Sequence, residues 1–392
     1  MKPIRVANLN RHFSRKAGGA ESYAVSVVEG LASRRLADGT PEFDVHVFSQ
    51  TRQHNDPNVT YHKVPGPLTH PRWINQLLFA TYTWWKTRTK FDIVHSHENT
   101  WHGNVQTVQV RPIRFHLLDG LTGWRLWLRW FKIATSPRLA FYVWLEGARM
   151  RARPGRTVVT VSGLLLEQTW AAYPHLPQDV PMILPAVGTP HLVLGRREAK
   201  SRLNLPQDDT VVLFVGNDYA RKGLPALLAA LSALQPSMHL ACVGSPQTIP
   251  QFELMATQLG VTQRVHFLGS LSDMSLAYRA ADMLVHPTLE DSFAMVVLEA
   301  MSYGLPVVVS SQRYCGISQF LQHGEDALVL DDPHDSAAIA AAINRVQTEP
   351  NLAKALSNAG LRFAAQYSWE AVVDAYIDIY QSVIRQSRPP HC

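Results

Sequence analysis

The chain has 392 residues, too many for one ordinary core, and 46% of them are hydrophobic, so it reads as a globular protein of two domains. Charged residues make up only 17%, with no acidic block or low-complexity tract, which argues against disorder. The net charge of +6 is uneven. Between Arg111 and Arg156 ten basic residues meet only Asp119 and Glu146, so the remainder is slightly acidic and the basic sign belongs to one local surface. Cys242, Cys315 and Cys392 lie far apart without metal-type spacing, which suits a reducing compartment. No apolar run reaches the roughly 18 residues that cross a bilayer, and the N-terminus reads as a strand rather than a signal peptide. The expectation is a cytoplasmic protein whose membrane role, if any, is peripheral.

In chain order, strands are expected at Ile4–Asn10, Phe43–Gln50, Phe91–His97 and Val105–Val110, with helices over Ala20–Arg34 and Ile74–Lys86. After the basic segment 111–156 come a strand at Thr157–Ser162, a helix at Leu164–Ala172 and a last strand at Met182–Ala186. A Gly- and Pro-rich loop, Val187–Gly195, marks a boundary, giving a first domain 1–188 and a second 189–368. The second half restarts the rhythm with strands at Val211–Gly216, Leu240–Gly244, Val265–Gly269, Met283–Pro287, Pro306–Ser310 and Ala327–Leu330. The apolar positions from Trp369 to Ile384 recur at helical spacing, so segment 369–392 is a packing helix able to return to the first domain. This alternation predicts an α/β protein of two Rossmann-like, doubly wound domains facing a cleft, with ligands at the carboxyl ends of the strands.

The stretch Glu290-Asp-Ser-Phe-Ala-Met-Val-Val-Leu-Glu299 carries the most chemistry. Asp291 sits at a loop-to-helix entry and Glu299, eight residues on, lies within the helix. At about 1.5 Å per helical residue the two carboxylates would stand roughly 12 Å apart if the helix runs through both, and farther if the loop bends away, too far for paired glycosidase acids. The spacing suits a nucleoside diphosphate sugar, with hydroxyls at each end and a diphosphate facing the backbone N–H groups between Phe293 and Val296. An ordinary amphipathic helix with a solvated Glu299 is the alternative.

Three further loops follow expected strands. Gly18 and Gly19 would let backbone approach a phosphate before a helix, although a structural turn reads the same way. In Gly216-Asn-Asp-Tyr-Ala-Arg-Lys-Gly223, Arg221 and Lys222 are adjacent cations where a diphosphate leaving group needs neutralising; a solvated basic loop is the alternative. The backbone of Leu268 and Gly269 could meet a base edge, or simply end a buried strand. His95, His97 and His102 crowd one strand end, but no third ligand at metal spacing follows, so no metal is expected. One histidine facing the cleft, His97, is the candidate base or acceptor-positioning group, with core histidines satisfied by hydrogen bonds as the commonest alternative.

In Gly123-Trp-Arg-Leu-Trp-Leu-Arg-Trp-Phe-Lys-Ile133, Arg125, Arg129 and Lys132 form one helical stripe and the aromatic residues fill most of the rest. Such a helix suits an anionic membrane interface, with core packing of its aromatic side as the alternative. No recognisable nucleic-acid-binding motif is present.

Together these pieces resemble the family 4 glycosyltransferases, retaining enzymes of the GT-B fold, and within them the lipopolysaccharide-core glucosyltransferase type. The resemblance spans nearly the whole chain and rests on Gly18–Gly19, Gly216–Gly223, His-Phe-Leu-Gly269, and His286-Pro followed by Asp291 and Glu299. It implies that Arg221 and Lys222 hold the donor diphosphate, with Asn217 in the same loop. Glu299 would take the ribose hydroxyls and Asp291 those of the transferred sugar, while backbone at Ala294, Met295 and Val296 completes the phosphate site. The family usually has Glu at the position of Asp291, Gly at that of Ala294, and His or Asp near Gln109. The implied activity is retaining transfer from a nucleotide sugar, with UDP the expected nucleotide, to a lipid-linked or lipopolysaccharide-type acceptor at the inner membrane face. No cofactor or metal is implied. A sugar-nucleotide-binding or membrane-scaffold protein without catalysis, or a phosphorylase or epimerase on the same frame, remains the alternative.

Overall fold

The computed structural model describes residues 2–15, 18–66, 71–188, 190 and 194–387. Lys16 and Ala17 of the glycine loop and Cys392 lie outside them. The chain forms two compact units, Met1–Pro185 with Trp369–Cys392, and Ala186–Ser368.

The strands of the first unit are β1 (Ile4–Leu9), β2 (His12–Phe13), β3 (Phe43–Ser49), β4 (Thr51–Arg52), β5 (Val59–Lys63), β6 (Ile93–Ser96), β7 (Val105–Val108) and β8 (Thr157–Thr160). Six of them form a sheet in the order β5-β3-β1-β6-β7-β8, and β2 pairs with β4 beside it. Every pairing is parallel. The second unit contributes β9 (Thr210–Val215), β10 (Met238–Val243), β11 (Val265–Gly269), β12 (Met283–His286), β13 (Val307–Ser310) and β14 (Leu328–Leu330), again all parallel, in the order β11-β10-β9-β12-β13-β14. In both sheets the chain first winds one way from a central strand and then reverses. The reversal falls between β1 and β6 in one unit and between β9 and β12 in the other.

Helices α1 (Gly19–Ser33), α2 (Arg72–Thr87), α3 (Ile113–Leu118), α4 (Gly123–Thr135), α5 (Pro137–Arg149) and α6 (Gly163–Ala172) belong to the first unit. The second holds α7 (Arg196–Arg202), α8 (Leu224–Ser232), α9 (Ile249–Gln258), α10 (Ser275–Ala280), α11 (Met295–Ser302), α12 (Ser336–Thr348) and α13 (Pro350–Ala364), after which α14 (Trp369–Ser387) rejoins the first. Strands covered on both faces need apolar residues throughout, which is why β9 reads Thr-Val-Val-Leu-Phe-Val and buries the last five. Val212, Phe214, Leu227, Leu231, Leu240 and Cys242 meet in one core.

Segment 182–186 is not a strand. Only Met182 bridges to Thr160, because Pro181 and Pro185 offer no backbone N–H to a ladder. Strands β2, β4 and β5 are the converse case, short or alternating segments whose pairing could not be read locally.

Helix α14 packs on α1 so closely that a Cβ on Gly30 would stand 2.3 Å from Val373. Its Tyr376 and Tyr380 are fully buried. The Tyr376 hydroxyl lies 3.0 Å from that of Tyr23 and 2.9 Å from Thr107 Oγ1, and the Tyr380 hydroxyl lies 2.7 Å from His95 Nδ1. Replacing Tyr380 by Phe leaves a buried imidazole nitrogen without its partner, so we expect about 1–3 kcal/mol less stability, read from denaturant unfolding with an unchanged slope.

Candidate functional site

In a doubly wound sheet the loops after the two strands at the reversal diverge and leave a crevice. In the second unit these are the loops after β9 and β12. They carry Gly216–Gly223 and Pro287–Ala294, two of the segments singled out from sequence.

The first loop is anchored by Tyr219, whose ring is buried in the core. It closes through hydrogen bonds from Lys222 N to Asp218 O and from Leu224 N to Tyr219 O. At Gly223 φ is +85°, and an added Cβ would lie 1.9 Å from the Pro287 carbonyl oxygen, so only glycine permits this approach of the two loops. Leu289 N donates to Arg221 O at 2.9 Å and fastens the second loop to the first.

This lacing brings Lys222 to Asp291. The ammonium is ion-paired with the Asp291 carboxylate and donates to Glu290 O at 3.3 Å, and both side chains are largely buried. Asp291 Oδ1 accepts from Phe293 N and Ala294 N at 3.3 and 2.8 Å, and Oδ2 lies 3.1 Å from His286 Nε2. Burial opposes ionisation of this carboxyl, but Lys222 and His286 outweigh it and hold Asp291 well below the usual carboxylate range. Arg221, next in sequence, behaves differently. It stands half-exposed, paired with Asp218 at 3.4 Å. The two expected cations are therefore unequal: one is built into the site and one is on its rim. Asn217 in the same loop is exposed.

Helix α11 begins at Met295 with Ala294 as its N-cap, so no single helix runs through both acids and Asp291 lies in the loop before it. The N–H groups of Phe293 and Ala294, expected to face a ligand, are taken by Asp291. Those of Met295 and Val296, in the first helical turn, have no acceptor within the helix. Ala294 adopts φ 69° and ψ 67°, a left-handed conformation that disfavours a methyl-bearing residue by roughly 1–2 kcal/mol. Strain of this kind marks a backbone held by its surroundings.

Glu299 is not solvated. It is partly buried and accepts a hydrogen bond of 2.5 Å from the Tyr278 hydroxyl, while Tyr303 stacks on Tyr278 at 5.3 Å. Leu268 is partly buried, and Gly269 ends β11 with φ +64° and accepts from Gly244 N. One contributor escaped the sequence reading, Tyr278, which lies 21 residues from its partner on another helix; His286 was quoted in the resemblance but given no role of its own.

In the first unit, His97 follows β6 and its N–H donates to Leu9 O at 3.1 Å, so it stands at that sheet's own reversal. Burial, reinforced by Arg149, pushes its imidazole down to about 3. Such a ring is neutral near pH 7. His95 is structural, with Tyr380 on Nδ1 and Thr107 on Nε2. Gly18 is extended, at φ 168°, and does not need glycine's freedom; Gly19 opens α1.

The basic segment folds as α3, α4 and α5. Glu146 accepts from the N–H groups of Ile113 and Arg114 and from the Tyr173 hydroxyl, and so caps α3 from α5. The aromatic side of α4 is not in the core. Trp124, Trp127 and Phe131 are 69%, 66% and 58% exposed, and Ile133 alone is buried within this helix. No described helix is long and apolar enough to cross a membrane.

Residues 195–363 match the family described as glycosyl transferases group 1. The D-inositol 3-phosphate glycosyltransferase of Thermobifida fusca (strain YX) is 26% identical over 99% of this chain and 95% of its own. The lipopolysaccharide core biosynthesis glycosyltransferase LpsE of Rhizobium meliloti (strain 1021) is 32% identical over 47% of this chain and 53% of its own. Among solved structures, WaaG, a glycosyltransferase involved in lipopolysaccharide biosynthesis, superposes with a TM-score of 0.81 at 20% identity over 96% of this chain and 99% of that one. Anabaena Alr3699/HepE, solved with UDP and glucose, gives 0.73 at 15% identity, over 97% and 100%.

Burial raises the Glu299 carboxyl above its ordinary range, against the opposing Tyr278 hydrogen bond. Between the unfolded value and this raised one the folded chain holds the extra proton, so stability falls as pH rises through that window. Glu299→Gln is expected to remove this slope, measured as thermal midpoint against pH from about 4 to 8, the span around an unperturbed glutamate.

Proposed function

We propose that this chain, which carries a group 1 glycosyltransferase domain at residues 195–363, transfers a sugar from UDP, with retention of configuration, to a lipid-linked or lipopolysaccharide-type glycan. The observation that carries the donor assignment is Lys222, held by Asp291 at the reversal of the second sheet, with Glu299 eight residues further on. Lys222 and the open N–H groups of Met295 and Val296 neutralise the diphosphate, and Arg221 turns in from the rim. Glu299, kept in a setting that disfavours its charge, gains when ribose hydroxyls donate to it. With that much fixed positive potential, no metal is required.

In this reading the acceptor oxygen bonds to the anomeric carbon on the face from which the phosphate departs. The bond from that carbon to the phosphate oxygen breaks, and the acceptor proton passes to the departing phosphate. No side-chain base is then needed, in keeping with Gln109 and a weakly basic His97. HepE, of the same fold, is solved with UDP and glucose, which supports UDP as the nucleotide. The two named relatives differ in acceptor, so an assay offers both an inositol phosphate and lipopolysaccharide-type glycans.

Calorimetric titration with UDP, GDP and their sugar conjugates, with and without EDTA, tests the donor site. We expect selective UDP binding that survives EDTA and weakens about tenfold or more in Lys222→Ala, as loss of a charge-assisted phosphate contact implies. Unchanged affinity in that variant would remove Lys222 from the site.

We further read α4 as the contact with an anionic membrane, at the cytoplasmic face where a nucleotide sugar would meet a lipid-linked acceptor. Its exposed tryptophans beside Arg125, Arg129 and Lys132 favour headgroup depth with cations toward phosphates. Changing Trp124, Trp127 and Phe131 together to Ser should cut sedimentation with anionic vesicles about tenfold or more, since each buried aromatic contributes of order 1 kcal/mol or more. Equal binding would assign that face to something other than lipid.

A further inference from the structure

His286 ends β12 with its side chain fully buried, and its Nε2 lies 3.1 Å from Asp291 Oδ2. Burial keeps this imidazole in its neutral form at neutral pH, with Asp291 opposing and Lys222 assisting. An ionised carboxylate can only accept, so the single ring proton must sit on Nε2, and Nδ1 is a bare lone pair with no partner among the described residues. His286 is thus a donor aimed at Asp291.

The consequence for Asp291 is saturation. Its two oxygens accept from Lys222, His286, Phe293 N and Ala294 N, about as many donors as a carboxylate has lone pairs. The four donors set the carboxylate from three places: the β9 loop, the end of β12 and, through two adjacent N–H groups, the entrance to α11. The carboxylate in turn sets Lys222. An ammonium has three hydrogens, and Asp291 and the Glu290 carbonyl take two. One remains, and its direction follows from the other two.

We propose that His286 is a positioning residue for donor binding, fixing the Asp291 carboxylate and through it the Lys222 ammonium, so that the one remaining hydrogen serves the donor diphosphate. This rests on the donor-site reading above and goes beyond it: Asp291 acts on the diphosphate through Lys222. A flexible lysine would lose rotamer freedom on meeting the phosphate; one already fixed loses less. With leucine at 286 the carboxylate keeps Lys222 but loses the donor that fixes its plane.

The test compares UDP binding by calorimetry in the full chain, Lys222→Ala, His286→Leu and His286→Gln, together with NMR of the imidazole nitrogens. Glutamine carries an amide donor close to the position of Nε2 and cannot be protonated. We expect His286→Leu to weaken UDP about fivefold to tenfold and His286→Gln to restore it to within about twofold, the size of one lost and regained orienting hydrogen bond. With a sugar conjugate, the loss should appear in donor KM and leave acceptor KM unchanged. NMR should show the Nε2–H tautomer in the protein without donor. A protonated Nδ1, or unchanged affinity in His286→Leu while Lys222→Ala loses binding, would overturn the role of His286. Equal losses in the Leu and Gln variants would also overturn it, making the ring a packing element. If Lys222→Ala binds UDP as before while the tautomer is Nε2–H, the donor-site reading fails and the hydrogen-bond geometry of His286 stands.

Discussion

A lysine ammonium taken largely out of water must be met by a carboxylate and by hydrogen-bond acceptors in good geometry, and much of the second unit follows from meeting that demand at Lys222. Asp291 can supply the counter-charge only if the loops after β9 and β12 run side by side. That requires those strands to be neighbours in a parallel sheet although two other strands lie between them in sequence. It also requires a loop without a Cβ at Gly223, where any side chain would strike the Pro287 carbonyl. The fold's reversal, one glycine and one ion pair are thus a single arrangement. Removing one partner would leave a buried charge uncompensated, which is costlier than losing the pair's net attraction.

The other charges of the site are held with different strengths, and the differences sort their chemistry. Asp291 is driven toward ionisation by Lys222 and His286, whereas burial drives Glu299 the other way with little more than Tyr278 to oppose it. One carboxylate is satisfied by the protein itself. The other has a deficit that hydroxyl donors would relieve, as expected of a group kept for a ligand at some expense of stability.

The first unit solves an unrelated problem with similar means. Helix α14 arrives from the far end of the chain and is held by tyrosine hydroxyls reaching Tyr23, Thr107 and His95 in an otherwise apolar layer. Arg149 is buried close by, its guanidinium bonded to Gln106, Asn99 and the Thr107 carbonyl. These polar groups tie α5 and α14 to the sheet, and the same α5 carries Glu146, which caps α3. The exposed aromatic helix α4 is therefore mounted on a framework fixed by directional bonds.

Local patterns reported most of the architecture. Buried parallel strands such as Val211–Val215 announce themselves as unbroken apolar runs, and α14 declares its packing face through the helical spacing of Trp369, Val373, Tyr376 and Tyr380, whereas the order of the strands was not read from the sequence. Asp291, Glu299 and Lys222 were singled out by their places after strand ends, and the structure brings two of them, Lys222 and Asp291, into one ion pair. Other features depended on distance through space. The aromatic side of α4 could equally have been core until its neighbours were known, whereas the strand expected at Met182–Ala186 fails for a local reason, Pro181 and Pro185. Periodicity states that a helix has two sides; it does not state which one finds a partner. His286 shares an ordinary strand sequence with residues that only pack, and Tyr278 reaches Glu299 from a separate helix. What the chain determined by itself was its elements and the kinds of charge at their ends, since these follow from steric and hydrophobic rules acting over a few residues. Which of those charges would be paired, strained or left wanting a ligand was decided only in the tertiary structure, where Coulomb attraction and desolvation depend on neighbours that the sequence holds far apart.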